Sequence, residues 1–247
     1  MVIPFIYPNK TAWVGFFIMN ATFRGQGLGR KLWTEMELSF KTAGTTTIGL
    51  DGVEEQVETY KRRGFEDCAR IPLMTRDGLG KKPIDITWQQ NDDVELHNIR
   101  EVEAKQLAQL DLEHTGLDRS GYWATGLLTS RDDSVGYAVV VDKVIGFIYA
   151  RRCEHGVRIG SLYAATYQHA RQLLHRVMQD FAAVEGTFIS EVFGTNANGR
   201  KVFEELGWEY AGLSYHRMWL HGKVPIEQQD GGKGEMGMYA IFDACAG

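Results

Sequence analysis

Arg24-Gly25-Gln26-Gly27-Leu28-Gly29-Arg30 follows an apolar stretch, Trp13 to Met19, that reads as a buried strand, and it opens a segment with helical spacing. A glycine-rich turn between a strand and a helix start is a device for holding an anion. Its backbone N–H groups point outward, and the helix dipole adds partial positive charge at the same place. Gly25, Gly27 and Gly29 let the main chain approach without Cβ atoms in the way, and Arg24 and Arg30 supply cations for phosphate oxygens. The dinucleotide fingerprint G-x-G-x-x-G does not fit this glycine spacing, and no Gly-Lys-Ser/Thr follows to make a P-loop.

The pattern that does fit is Arg-x-x-Gly-x-Gly, and it resembles the acyl-coenzyme A loop of the GNAT N-acetyltransferases. A second stretch agrees in order and spacing. Tyr60-Lys61-Arg62-Arg63-Gly64-Phe65 closes a helix-like segment, Val53 to Arg63, in which Val53, Val57 and Tyr60 share one face. Gly64 reads as the helix stop and Phe65 as the start of the next strand. The stretch resembles the family's Tyr-x-x-x-Gly-Phe, which implies that Tyr60 is the general acid beside the coenzyme sulfur. A phenol of pKa ~10 is a reasonable donor to a leaving thiolate of pKa ~8.5 or above. Read from packing alone, Tyr60 is a core tyrosine on an apolar helix face. The resemblance further implies acetyl-CoA as cosubstrate, bound by Arg24, Gly25, Gln26, Gly27, Leu28, Gly29 and Arg30, with Ile18 and Met19 on the strand edge beside the pantetheine amides.

The chain has 247 residues, 44% of them hydrophobic, enough for one large or two modest domains. A formal charge of −5 and a pI near 5.8 argue against a general nucleic-acid binder. No apolar run is long enough to span a membrane, and no charged n-region with a cleavage site opens the chain, so a cytoplasmic protein is expected. Three widely spaced cysteines, Cys68, Cys153 and Cys245, read as reduced thiols. No close His/Cys cluster suggests a metal, and His169 and His175 read as helix-surface residues.

The order of elements predicts two tandem units of an α+β fold, each a twisted, mostly antiparallel sheet flanked by helices. Residues 1–76 form the unit with the loop: strand (Trp13 to Met19), helix (Gly29 to Ala43), strand (Thr46 to Leu50), helix (Val53 to Arg63) and strand (Phe65 to Leu73). Residues 77–83 read as a linker, within the Gly- and charge-rich stretch from Thr75 to Pro83. Residues 84–247 form the second unit. It opens with a strand at Ile84 to Trp88 and a helix over Val94 to Leu112, which the acidic run from Asn91 to Glu95 would start. A short helix spans Ser120 to Leu128. Strands at Gly136 to Val141 and Val144 to Arg151 form a hairpin over Asp142-Lys143. A strand (Ile159 to Ala164), a long helix (His169 to Val184), a strand (Thr187 to Val192), a helix (Gly199 to Leu206) and strands at Tyr215 to Leu220 and Met238 to Phe242 complete it.

Val202-Phe203-Glu204-Glu205-Leu206-Gly207-Trp208 echoes Thr59 to Phe65, with Phe203 in place of Tyr60. The turn Leu162 to Gln168 has no glycine for an anion to approach. The second unit thus resembles the degenerate C-terminal domain of two-domain GNAT proteins of the YitH type, and is expected to shape the acceptor site or a homodimer. The resemblance also implies more chain ahead of the loop-bearing strand than precedes Trp13, so the first unit reads as short. Either chain is missing there or the second unit covers the exposed sheet edge. Asp51, Glu54 and Glu55 are candidate general bases, although Glu54 and Glu55 also suit a helix start, with Asp51 beside its cap. Three readings stand open on sequence: an N-acetyltransferase acting on a small amine, a catalytically inactive coenzyme A-binding or interaction protein, and a binder of some other nucleotide phosphate.

Overall fold

The computed structural model describes residues 1–82 and 94–247. The predicted strand at Ile84 to Trp88 and residues 91–93 of the acidic run lie outside the described residues. In chain order the first part holds β1 (Ile3–Ile6), β2 (Thr11–Gly15), α1 (Leu28–Thr42), β3 (Thr47–Gly52), α2 (Val57–Lys61) and β4 (Phe65–Asp77). The second holds β5 (Leu96–Asn98), α3 (Ala104–Thr115), α4 (Ser120–Ala124), β6 (Ser134–Val140), β7 (Val144–Cys153), β8 (Gly156–Ala164), α5 (Tyr167–Asp180), β9 (Thr187–Glu191), α6 (Gly199–Glu204), β10 (Glu209–Leu220), α7 (Lys233–Gly237) and β11 (Met238–Ala240).

Helical spacing of large apolar side chains makes the long helices. On α1, Trp33, Met36 and Phe40 are buried; on α5, Ala170, Leu173, Leu174, Val177 and Met178 are. Each such side chain contributes roughly 1.5–3 kcal/mol on burial. Gly64 (φ 88°) and Gly207 (φ 80°) turn the chain left-handed after α2 and α6, and an aromatic residue then starts or immediately precedes the next strand. The sequence echo is therefore a structural one. Phe65 lies 6.3 Å from Tyr60, and Trp208 lies edge-on to Phe203 at 5.1 Å.

All strands join one mixed sheet in the order β1-β2-β3-β10-β4-β9-β8-β7-β6-β5, with β11 attached to β8. The two halves exchange strands. β10 lies between β3 and β4, and β4 lies between β10 and β9. The shift that carries Tyr60 onto Phe203 also carries Ile71 onto Ser214 and Pro72 onto Tyr215. The β4–β10 register pairs Ile71 with Tyr215 and Pro72 with Ser214, so an approximate two-fold axis passes through this seam. Among the described residues, three large cores follow from this layout: α1 and α2 on β2, β3 and β10; α5 and α6 on β7–β9; α3 and α4 on the other face of β6–β8; a smaller fourth gathers Tyr7, Trp13, Leu117 and Trp219.

Several expected boundaries move, each for a local reason. β4 continues to Asp77, because Leu73 to Asp77 pair with β9 and the Arg76 guanidinium, buried, donates to the carbonyls of Leu206 and Lys82. The helix expected from Val94 is instead the edge strand β5, a one-turn 3₁₀ segment capped by Asn98, and α3, which Gly116 (φ 71°) stops. The loop-bearing strand ends at Gly15 and not Met19, since Phe16 adopts φ 51°. His169 and His175 are half-buried on α5. The outer edge of the first half is β1. Its neighbouring turn is held by the second half, with Tyr7 Oη donating to Ala246 O and Asn9 Nδ2 to Gly116 O, yet Ile3 and Ile6 remain exposed.

Since β3 and β4 are not neighbours without β10, a fragment of residues 1–82 is expected to stay unfolded. Circular dichroism and amide exchange of the isolated fragment, against the folded full chain, check this. A cooperatively melting fragment would contradict the exchange of strands.

Candidate active site

β2 and β3 run parallel and pair only as far as Trp13 with Gly49. Beyond that point no strand among the described residues bridges them, so the two diverge into a cleft. Phe16, in the left-handed region at about 1 kcal/mol or more of strain, follows the last residue of β2. The chain then passes Ile18, whose N–H donates to Met1 O at 2.9 Å, and Met19, whose carbonyl accepts from Arg24 Nε at 3.1 Å. Ile18 and Met19 therefore lie past the strand rather than on its edge.

The loop is built around two left-handed glycines, Gly25 (φ 76°) and Gly27 (φ 75°). A Cβ at either would meet nothing within 4 Å, so no packing contact calls for these glycines. Asn20 caps the 3₁₀ turn Ala21–Phe23, and Gln26 Nε2 donates to Thr22 O. Gly27 stands at the N-cap of α1 without any side-chain cap. Among the described residues, the backbone N–H groups of residues 25 to 29 form no hydrogen bond. Five consecutive free donors at a helix N-terminus, flanked by exposed Arg24 and Arg30, have the chemistry to cradle an anion.

A chain of contacts leads from this cradle to Tyr60. Gly29 lies against Phe17 and Met19, Phe17 sits edge-on to Trp33 at 5.3 Å, and the Trp33 and Tyr60 rings are 5.9 Å apart. Trp33 is one turn along α1 from Gly29, and its Nε1 donates to Glu37 at 2.7 Å. The guanidinium of Arg63 lies 4.2 Å over the Trp33 ring. Tyr60 is 8% exposed, and its hydroxyl forms no hydrogen bond among the described residues. Burial raises its pKa above the ordinary phenol value, against a smaller pull downward from Arg63, so the hydroxyl keeps its proton at neutral pH.

The carboxylates behave differently from one another. Asp51 is fully buried in a bidentate pair with Arg217, at 2.9 and 2.7 Å. Burial raises its pKa and Arg217 opposes that, leaving no free oxygen edge for a proton-transfer role. Glu54 meets His216 Nε2 at 2.6 Å, and Asp67 takes the other ring nitrogen at 2.8 Å. Glu55 forms no salt bridge among the described residues.

Residues 243–247 line the opposite face of β2, which sequence reasoning did not foresee. Trp13 Nε1 donates to Ala244 O, and Gly15 leaves room for Cys245 O. Glu191 accepts from Ala244 N and pairs with Arg158, while Asp243 pairs with Arg151. Burial, then Asp243 and Glu191, push the Cys245 thiol up to about 12, so it is not a nucleophile. Only a contact across the whole chain length could reveal this tail, and no local pattern marks it.

The second half closes the corresponding features. Its parallel pair β8–β9 also stops early, at Ile159 with Ser190, but β11 fills the gap. Ala240 bridges to Val192, and Ile241 N–H donates to Glu191 O. The helix start there carries a side-chain cap, with Thr166 Oγ1 accepting from His169 N–H at 3.2 Å.

Two family models described as an acetyltransferase (GNAT) domain match the chain, one over residues 107–230 and one over residues 6–83. A holothin acyltransferase of Pseudoalteromonas sp. (strain SANK 73390) is 28% identical over 162 residues, covering 64% of this chain and 50% of that protein. An uncharacterized protein of Caenorhabditis elegans is 26% identical over 164 residues, covering 63% and 51%. The chain thus spans about half the length of the curated relatives it matches. Among solved structures, a Pyrococcus horikoshii protein assigned as an acetyltransferase has a TM-score of 0.77 at 18% identity, covering all of this chain and 75% of that one. A tandem GNAT protein from the clavulanic acid biosynthesis pathway has a TM-score of 0.58 at 14% identity, over 85% of this chain and 74% of that one. At these identities the structural likeness is one of fold.

Arg217→Met is expected to cost about 3 kcal/mol, since it strands the buried Asp51 carboxylate. Adding Asp51→Asn should recover part of that loss. Urea melts of the single and double variants measure both effects, and an unchanged midpoint for Arg217→Met would contradict the assigned role of the pair.

Proposed function

Because the chain belongs to the GNAT acetyltransferase family, we propose that it transfers an acetyl group from acetyl-CoA to the amine of a small acceptor. The observation that carries this reading is the run of five unpaired backbone N–H groups from Gly25 to Gly29. They suit the pyrophosphate of the coenzyme, with Arg24 and Arg30 beside it. Leu28 and the Gln26 backbone complete the turn, and the Met19 side chain lies against Gly29. The cleft between β2 and β3 suits the pantetheine arm, whose amides would pair with the strand edges that diverge there.

In this reading the acceptor nitrogen attacks the thioester carbonyl, the new C–N bond forms and the C–S bond breaks. Tyr60 gives its proton to the leaving thiolate and regains one from solvent, which also takes up the surplus proton of the attacking nitrogen. Tails 243–247 and the second half shape the acceptor side of β2. The name of the holothin relative, an acyltransferase, supports the reaction class.

A second reading has one observation in its favour. Asp51 and Glu54, two of the carboxylates beside the cleft, are committed to Arg217 and His216, as they would be in a coenzyme-binding protein without turnover. Thiol release from acetyl-CoA over a panel of small amines separates the two readings.

Gly27→Asp sets a carboxylate in the cradle and is expected to weaken acetyl-CoA binding by about 30-fold, or ~2 kcal/mol, by calorimetry. Ala165→Asp, at the corresponding turn of the second half, should leave binding unchanged. Equal affinity of folded Gly27→Asp and wild type would sink the cradle. Tyr60→Phe keeps the ring and removes the donor, so turnover should drop by ~10²-fold with binding intact. Because burial lifts Tyr60 above its ordinary value of 10.0, no alkaline decline in turnover below that pH should trace to it. A descending limb that vanishes in Tyr60→Phe near neutrality would contradict this.

A further inference from the structure

On the second half, far in sequence from the glycine loop, His114 is set up to accept a hydrogen bond. Its Nδ1 lies 2.8 Å from the carbonyl of Leu110, one turn back on α3. A carbonyl only accepts, so Nδ1 carries the proton and Nε2 of the neutral ring presents a lone pair. The ring cannot readily turn, because it stacks on Tyr163 with centroids 5.0 Å apart and planes at 5°. Burial lowers its pKa, which favours the neutral form. Nε2 has no hydrogen-bond partner among the described residues. Gly237 faces it: a Cβ there would stand 2.6 Å from Nε2.

His114 and Gly237 both line a cavity of about 290 Å³ between α3, the ends of β7 and β8, and α7. Val144, Ile145, Ala164 and Met236 give it apolar walls. Two cationic residues, Lys143 and Lys233, also line it. Glu113 lines it too, but is paired with Lys233. Lys143 forms no salt bridge among the described residues, which leaves one net positive charge. The volume is at the low end for ligand pockets, so a one- or two-ring molecule fits and a coenzyme does not. β11 and the Thr166 cap already close the nearby cleft.

We propose that this cavity binds a small aromatic carboxylate that carries a ring N–H or hydroxyl. The ring lies on the apolar walls, its donor meets His114 Nε2, and its carboxylate turns to Lys143 and Lys233. The proposal stands apart from the acetyl-transfer reading, since none of its residues touches the glycine loop.

Calorimetry of the full chain with indole-3-acetate tests it, with 1-naphthaleneacetate as a probe of like shape lacking the N–H. Indole-3-acetate should bind saturably at one site, about 10-fold more tightly than 1-naphthaleneacetate, as one hydrogen bond is worth. His114→Phe keeps the stacked ring and should erase that preference. Ala165→Phe, at an exposed lining position, should abolish binding of both and keeps the test valid if His114→Phe does not fold. Absence of saturable binding, equal affinity for the two probes in wild type, or unchanged binding in Ala165→Phe would each overturn the proposal.

Discussion

Antiparallel pairing of β4 with β10 is the constraint on which the rest of this molecule depends. Each strand also carries the edge of the opposite half, so β3 reaches β4 only through β10, and β9 reaches β10 only through β4. Met218 of β10 completes the core under α1 and α2, and Met74 of β4 completes the core under α5 and α6. The glycine loop and Tyr60 are thus positioned by a strand that arrives from the far end of the chain. Arg217, on that same strand, joins Asp51 to the aromatic face of Trp13, at 4.8 Å from its ring. A buried ion pair is poor evidence of added stability, yet it is a demanding one for geometry. Here it holds β10 in one register against β3.

Two copies of one scaffold have diverged by opening and closing the same places. In the first, the helix start has no side-chain cap, two left-handed glycines expose the backbone, and the parallel strands part. In the second, a threonine caps the helix, no glycine interrupts the turn, and a strand fills the parting. Phe203 packs where Tyr60 stands, without a hydroxyl. Anion binding needs unpaired donors within reach, and in the second half the cap takes His169 N–H while Ala165 N–H donates to Ile145 O. The difference between them is a difference in which backbone groups are satisfied.

What could be read from the sequence was local. The glycine loop, the helix behind it, the stops at Gly64 and Gly207 and the hairpin at Asp142-Lys143 each rest on neighbours a few residues apart. Family membership followed from two of those stretches. What escaped was set by distant partners. Thr75 to Asp77 have the composition of a linker, but β9 offers them a ladder. Asp51 looks like a free acid until Arg217 arrives beside it. Phe16 reads as one more residue of an apolar strand, although its backbone ends that strand. Residues 243–247 carry no pattern at all, and their place under β2 rests on hydrogen bonds to Tyr7 and Trp13. The empty space at His114 was equally silent, because a lone histidine on a helix looks the same whether its second nitrogen is used or free.

β11 is, in effect, a ligand that the protein carries on a leash. A strand tethered by a short connection meets its own cleft at an effective concentration on the order of millimolar, before any stabilisation from its side chains. Met238 and Ala240 are fully buried, so the tethered strand also gains from desolvation. Any free molecule seeking the β8–β9 cleft competes against an occupant that never diffuses away. Duplicated architecture therefore does not mean two open clefts: on this geometry the second one is filled from the moment the chain folds.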